Sequence, residues 1–482
     1  MTTTDAEISD TTAFVPDLLY TGGRFLAGHA LVCDAEGRVV AVRRVEELSG
    51  ETDAVRLRGR ALLPGLVNAH SHAFQRVIRG RTEYRGSSAD SFWTWREMMY
   101  AAAARLSPED VYDASRMAFM EMALAGITSV GEFHYLHRTP EGGEYQDPNL
   151  LALEVVRAAR DVGLRIALLR VAYARAGFQK EPDPRQRRFI EPDPDTFIRN
   201  AQSLARELGE GPHAWLGVAP HSVRAVPLEY LRAVSDYARA RELPLHMHVA
   251  EQPAENETCL AEHKRTPVAL LADEGLLGPH FTGVHAVHVT AEEAARLGES
   301  GACVCACPTT ERNLGDGVVP ADLFFQEGVR VALGTDSHTQ IDLLEDARGL
   351  EYQLRLKTLR RNVLAPFEVE SVGEGTSEVA ALAARLFECA TASGAESIGA
   401  PAGSFEPGRA ADFFTVDLDD PTIAGSSEDD LLPLIVFSLS RTAVRETAVG
   451  GRLVVESGRH PAQDEIVSRF KALQKKLWGS DK

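Results

Sequence analysis

The chain has 482 residues, 44% apolar and 25% charged, with Lys+Arg 51 against Asp+Glu 70 and a formal net charge of −19. These proportions are those of a globular protein rather than a disordered chain or a long coiled coil. The acidic balance argues against a nucleic-acid or anionic-membrane surface, since both need basic patches. No apolar run reaches the ~18 residues of a membrane span, and the N-terminus, MTTTDAEISD, lacks the basic start and apolar stretch of a secretory signal. Six cysteines in a chain this long make no disulfide scaffold. The expectation is a soluble cytoplasmic protein with reduced thiols and neither nucleic-acid nor membrane partners.

Residues 1–62 alternate short β-like runs with glycine turns. Leu18-Leu19-Tyr20 runs into Gly22-Gly23, and runs at 30–33 and 39–42 flank Glu36-Gly37. Residues 401–460 repeat that texture, with runs at 412–417, 447–449 and 452–456 and a hairpin turn at Gly450-Gly451. One small β-sandwich domain built from both termini is expected. Between them, 63–400 reads as a (β/α)8 TIM barrel. Strand candidates fall at 66–70, 127–133, 165–171, 215–219, 245–249, 281–285, 302–305 and 329–333. Helical patterns lie between them at 108–125, 150–162, 196–208, 228–241 and 291–298. Strand followed by helix, repeated, makes the strands parallel and opens all their C-termini on one face.

Two segments stand apart. In 461–482, Ile466, Phe470, Leu473 and Leu477 recur at helical spacing, which predicts a helix packed on its own chain or on a neighbouring subunit. Residues 176–194 carry Glu-Pro-Asp-Pro twice and stay out of a helix. The segment leaves from the same barrel face as the site, as a surface loop or a lid.

Histidines and acids gather where the predicted strands end. His70 and His72 share one side of the first barrel strand, because residues i and i+2 point the same way. Later strands end in His221-Ser222, His246-Met247-His248-Val249-Ala250-Glu251, His285-Ala286-Val287-His288 and Thr335-Asp336-Ser337-His338. Barrels hold their active sites at that rim. Imidazole and carboxylate donors without thiolates suit a catalytic zinc or a similar divalent ion. His134 and His137 read as structural, and His246 as support or packing. Cys303, Cys305 and Cys307 read as small buried hydrophobes of a barrel strand, with the following loop, 308–313, at the pocket mouth.

Pro64-Gly65-Leu66-Val67-Asn68-Ala69-His70-Ser71-His72, His248-Val249-Ala250-Glu251, His285 and Gly334-Thr335-Asp336-Ser337 together resemble the amidohydrolase superfamily. Pro407-Gly408-Arg409-Ala410-Ala411-Asp412 resembles its return from barrel to β-domain. The resemblance covers nearly the whole chain. It implies His70, His72, His248 and Asp336 as metal ligands, with Glu251, His285 and Asp336 as catalytic groups. Binuclear members usually bridge two ions with a carboxylated lysine after strand 4, and no Lys occurs between Lys180 and Lys264. One Zn2+ or similar ion per chain is therefore expected.

Gln75, Arg96 (on the long loop after the first barrel strand), Tyr135, His221 and Arg224 most resemble the branch that hydrolyses N-formimidoyl-L-glutamate to N-formyl-L-glutamate and ammonia in histidine degradation. The resemblance implies a small acidic substrate, whose carboxylates suit arginine forks, and a homodimer. Two alternatives stay open: another mononuclear deaminase acting on guanine, cytosine or an adenosyl compound, and a non-catalytic metal-binding barrel.

Overall fold

The computed structural model describes residues 11–48, 53–84 and 92–479. Five strands open the chain: β1 (Thr12–Thr21), β2 (Arg24–Ala27), β3 (His29–Cys33), β4 (Val39–Arg44) and β5 (Asp53–Pro64). Eight follow: β6 (Leu66–Ser71), β7 (Ile127–His134), β8 (Arg165–Ala172), β9 (Ala214–Pro220), β10 (Leu245–Val249), β11 (Phe281–His285), β12 (Cys303–Ala306) and β13 (Arg330–Leu333). Near the C-terminus come β14 (Phe413–Asp417), β15 (Val444–Val449) and β16 (Arg452–Val455).

Strands β6 to β13 lie side by side in sequence order, all parallel, with helices between them. They are apolar on both faces, as strands covered on both sides must be; β6, β7 and β8 are buried along their whole length. The ring closes at its C-terminal rim. His72 N donates to Asp336 O at 3.1 Å, and Asp336 N donates to His70 O at 3.0 Å. The backbone bonds that close the barrel thus also fix the relative positions of His70, His72 and Asp336.

The terminal domain, expected as a β-sandwich, takes the form of one continuous mixed sheet in the order β16-β15-β14-β5-β1-β3-β4, with β2 on β1. β5 joins the two ends of the chain, pairing with β1 on one side and β14 on the other. A register shift in β1 between Pro16 and Leu18 lets the long sheet bend, and two apolar clusters form on it, one around Phe14, Leu31 and Phe413 and one around Ala13, Val15 and Val32.

Two segments differ from the sequence reading. Arg96 stands on a helix, Phe92–Ala103, rather than in a loop. Residues 308–313 begin a short helix, Pro308–Leu314, which Cys307 caps. Segment 176–194 is a loop, as expected, and its second half is anchored: Gln186 Nε2 donates to Tyr100 Oη at 2.7 Å and to Tyr173 Oη at 2.8 Å, and Arg188 Nη1 donates to Leu106 O at 2.8 Å. The C-terminal helix, Gln463–Trp478, buries Ile466, Phe470, Leu473 and Leu477 against its own chain, where Trp478 Nε1 donates to Val77 O at 3.2 Å. Among the described residues, no helix is long and apolar enough to cross a membrane.

Candidate active site

The ends of β6, β10 and β13 bring four buried donors together. His70 Nε2 lies 3.2 Å from His72 Nε2 and 3.2 Å from His248 Nε2. Asp336 Oδ1 lies 3.4 Å from His70 Nε2 and 3.2 Å from His72 Nε2. Two nitrogens each about 2.0–2.1 Å from one zinc ion at near-tetrahedral angles stand about 3.1–3.4 Å apart, so the spacing fits a single shared ion. The tautomers fit too. His72 Nδ1 faces Phe133 O at 2.9 Å and His248 Nδ1 faces His221 O at 3.2 Å, which makes each Nδ1 the donor and leaves Nε2 as a lone pair. Burial holds His70 down to about 3 and keeps His72 and His248 below the usual imidazole range, so the three stay neutral ligands. Burial alone would raise Asp336, but its contact with the His70 ring and its neighbours His72 and His285 hold it below the usual carboxylate range.

The approach is tight. A Cβ on Gly334 would lie 2.7 Å from His70 Cβ and 2.9 Å from His70 O, so the end of β13 reaches β6 only without a side chain. The turns holding the donors are strained: Ala250 (φ +50°), His285 (φ +72°), Ala286 (φ +47°) and Asp336 (φ +42°) are all left-handed non-glycine residues. Such conformations cost on the order of 1–3 kcal/mol each and persist where the surroundings impose them.

His285 stands among three carboxylates. Its Nε2 is 3.7 Å from Glu251 Oε1 and 3.9 Å from Asp336 Oδ2, and its Nδ1 is 3.3 Å from Glu311 Oε1. Burial opposes its charge, but Glu251, Glu311 and Asp336 more than offset that and push it well above the usual range. Glu251 is itself raised, chiefly by burial. Sequence reasoning did not single out Glu311, which is fully buried in the helix that had read as a loop. His285, Cys307 and Glu311 form a second donor triplet. The Cys307 thiol there is pushed far up, first by burial, which does not suit a thiolate ligand.

Ten of the eleven sequence-predicted residues line one cavity beside the donors: His72, Gln75, Arg96, Tyr135, His221, Arg224, His248, Glu251, His285 and Asp336. His70 sits behind its neighbours. Phe92, Trp95, Tyr100, Tyr173, Phe189 and Leu314 complete the wall, so segment 176–194 contributes Phe189 to it. Gln75 Nε2 donates to Tyr135 Oη at 2.8 Å, while Gln75 Oε1 is buried without a partner. Arg96 lies over the Trp93 ring at 4.5 Å, and its Nε and Nη1 are likewise buried and unpartnered. The remaining histidines serve packing: His137 Nε2 faces Val171 O at 2.8 Å and His246 Nε2 faces Ser397 O at 2.8 Å, away from the donors.

A parallel barrel with a His3Asp donor set at its C-terminal rim defines a hydrolase built around a divalent ion. Residues 61–454 match the amidohydrolase family model. A formimidoylglutamate deiminase of Pseudomonas aeruginosa is 39% identical over 87% of this chain and 90% of its own length. A 5-methylthioadenosine/S-adenosylhomocysteine deaminase of Halobacterium salinarum is 30% identical over 93% of each chain. The crystal structure of an amidohydrolase from Brucella melitensis superposes with a TM-score of 0.87 at 33% identity, covering 97% of this chain and 99% of that one. The chain belongs to the amidohydrolase family. It is a hydrolase acting on C–N bonds, and its relatives are deaminases and deiminases.

Proposed function

We propose that the protein hydrolyses N-formimidoyl-L-glutamate to N-formyl-L-glutamate and ammonia, as a step of histidine degradation. The observation that carries this reading is the buried Arg96 guanidinium, with Nε and Nη1 unpartnered, in a cavity shared with Arg224 and three of the four metal donors, His72, His248 and Asp336. A net charge of −19 repels a dianion at long range, so its capture needs local positive charge. Two guanidinium groups supply that charge in a form that binds carboxylates bidentately. The likeness to a formimidoylglutamate deiminase supports the same substrate.

In this reading His70, His72, His248 and Asp336 hold one Zn2+ or similar ion. Such an ion supplies Lewis acidity and brings the pKa of a bound water towards ~7. Asp336 takes the proton of the attacking water. His285 holds the attacking oxygen by a hydrogen bond as the formimidoyl carbon becomes tetrahedral and its electron pair moves to nitrogen. Glu251 relays that proton to the nitrogen; the hydroxyl on the tetrahedral carbon then gives up its own proton, which also goes to the nitrogen as the C–N bond breaks, leaving the formyl C=O and ammonia. Gln75 Oε1, held by its Tyr135 bond, accepts an N–H of the formimidoyl group. His221 lies beside the reacting end, and Arg96 and Arg224 bind the carboxylates. The enzyme acts in the cytoplasm as a homodimer.

A second reading, deamination of an adenosyl compound or a base, draws on the relative from Halobacterium salinarum and on the aromatic wall, which could stack a heterocycle. An ammonia-release panel of N-formimidoyl-L-glutamate, S-adenosylhomocysteine, guanine and cytosine separates the two. The proposal expects turnover of the first compound alone. Ammonia from a base or an adenosyl compound, with none from N-formimidoyl-L-glutamate, overturns it.

A further inference from the structure

His285 ends β11 in a left-handed conformation opposite Val249 of β10, and its ring stacks on the His248 ring at 5.5 Å, a contact that sets the ring plane but not which nitrogen faces the site. Backbone bonds hold the turn itself: Ala286 N donates to Val249 O at 2.9 Å, and His288 N donates to Ala250 O at 3.0 Å. The ring is held by Glu311. Glu311 Oε1 accepts the Cys307 N–H at 2.8 Å and lies 3.3 Å from His285 Nδ1. A carboxylate oxygen can only accept in that position, so Nδ1 carries the proton and Nε2 is turned towards Glu251 and Asp336. Glu311 has no exposed surface, and among the described residues its Oε2 has no partner and its one ionic neighbour within 4 Å is His285, with no arginine or lysine beside it. A buried carboxylate is costly to keep without such compensation.

We propose that Glu311 is a positioning residue for the hydrolytic step, which it serves by accepting from His285 Nδ1–H and so fixing the rotation of the ring with Nε2 facing the reacting atoms. This rests on the reading of His285 as the group that holds the attacking oxygen at the reacting carbon. The arrangement parallels the carboxylate–imidazole pairs of acyl-transfer enzymes, in which the carboxylate orients the ring without touching substrate. It gives the short helix after β12 a task that its sequence did not suggest. The helix starts at Cys307 so that one backbone N–H can aim the carboxylate oxygen.

The experiment compares Glu311→Ala and Glu311→Gln. The Gln side chain keeps an amide oxygen able to accept from both Cys307 N–H and His285 Nδ1–H. Glu311→Ala should lower kcat by about 10²-fold with KM and metal content nearly unchanged, and Glu311→Gln should recover at least a tenfold part of that loss. NMR of 15N-histidine-labelled enzyme supplies a readout independent of turnover. One downfield imidazole N–H signal, assigned by its absence in His285→Gln, should vanish in Glu311→Ala and persist in Glu311→Gln. If both variants lose only thermal stability, or the signal survives in Glu311→Ala, Glu311 does not position His285. If the wild type turns over some other amine and not N-formimidoyl-L-glutamate, the substrate reading fails, and the NMR comparison still decides the role of Glu311.

Discussion

The two ends of the same eight strands differ in how their polar groups are matched. At the N-terminal end most pair with one another, although Ser129 Oγ and His246 Nδ1 are buried without partners. Arg165 and Asp412, both buried, form a two-pronged pair at 2.8 and 3.1 Å, and Asp412 Oδ1 also accepts Gly450 N–H at 2.7 Å. Trp215 Nε1 donates to Ile398 O at 2.7 Å, and Thr282 Oγ1 meets Ser397 Oγ at 3.1 Å. At the C-terminal end, three imidazole lone pairs converge, Gln75 Oε1 and two Arg96 nitrogens lack partners, and four residues in the site turns are left-handed. One end joins the barrel to the terminal sheet. The other keeps strain and unmatched polarity where a ligand can satisfy them.

Cutting one pair at each end makes the difference measurable, and it carries the largest expected effect. His248→Ala removes one of four donors and should reduce bound metal and activity together to background. Asp412→Ala leaves Arg165 buried and uncompensated, a cost of about 3–5 kcal/mol. It should lower the thermal midpoint while the folded fraction keeps its metal and its kcat. Metal analysis beside calorimetry checks both. Equal metal loss in the two variants would erase the distinction between the ends.

Within the rim, Glu251→Gln separates chemistry from assembly. Metal content should stay at the wild-type level while kcat falls by about 10²–10⁴. Turnover near wild type would remove Glu251 from the proton path.

Arg224→Met is the mildest of the three. One charge-assisted hydrogen bond is worth about 1.5–3 kcal/mol, so kcat/KM for N-formimidoyl-L-glutamate should fall by about 10–150-fold. An analogue without carboxylates should be a poor substrate for both enzymes and nearly indifferent to the change. Equal losses on both substrates would mean that Arg224 shapes the cavity rather than reads a carboxylate.

The donor set was legible because strand alternation is a strict rule. His70 and His72 must share a side, and residues at barrel strand ends must share a rim. Glu311 was legible only as one member of the loop 308–313 at the pocket mouth, since a seven-residue helix, Pro308–Leu314, is too short to show the helical period that would have told which of its side chains turns inward. Arg96 read as a loop residue because Phe92, Trp93 and Trp95 crowd the start of its helix and blur the apolar stripe that would have marked it. In the terminal domain, alternation indicated strands but not their partners. The pairing of Phe413 with Pro64 joins residues far apart in sequence, so a single bent sheet and a sandwich read alike.

The most direct test of the account is product analysis in 18O-labelled water. Wild-type enzyme and N-formimidoyl-L-glutamate should yield N-formyl-L-glutamate carrying one 18O in the formyl group, with one ammonia released per product formed. An unchanged substrate, in a preparation that carries its metal and deaminates a base or an adenosyl compound, would contradict the account.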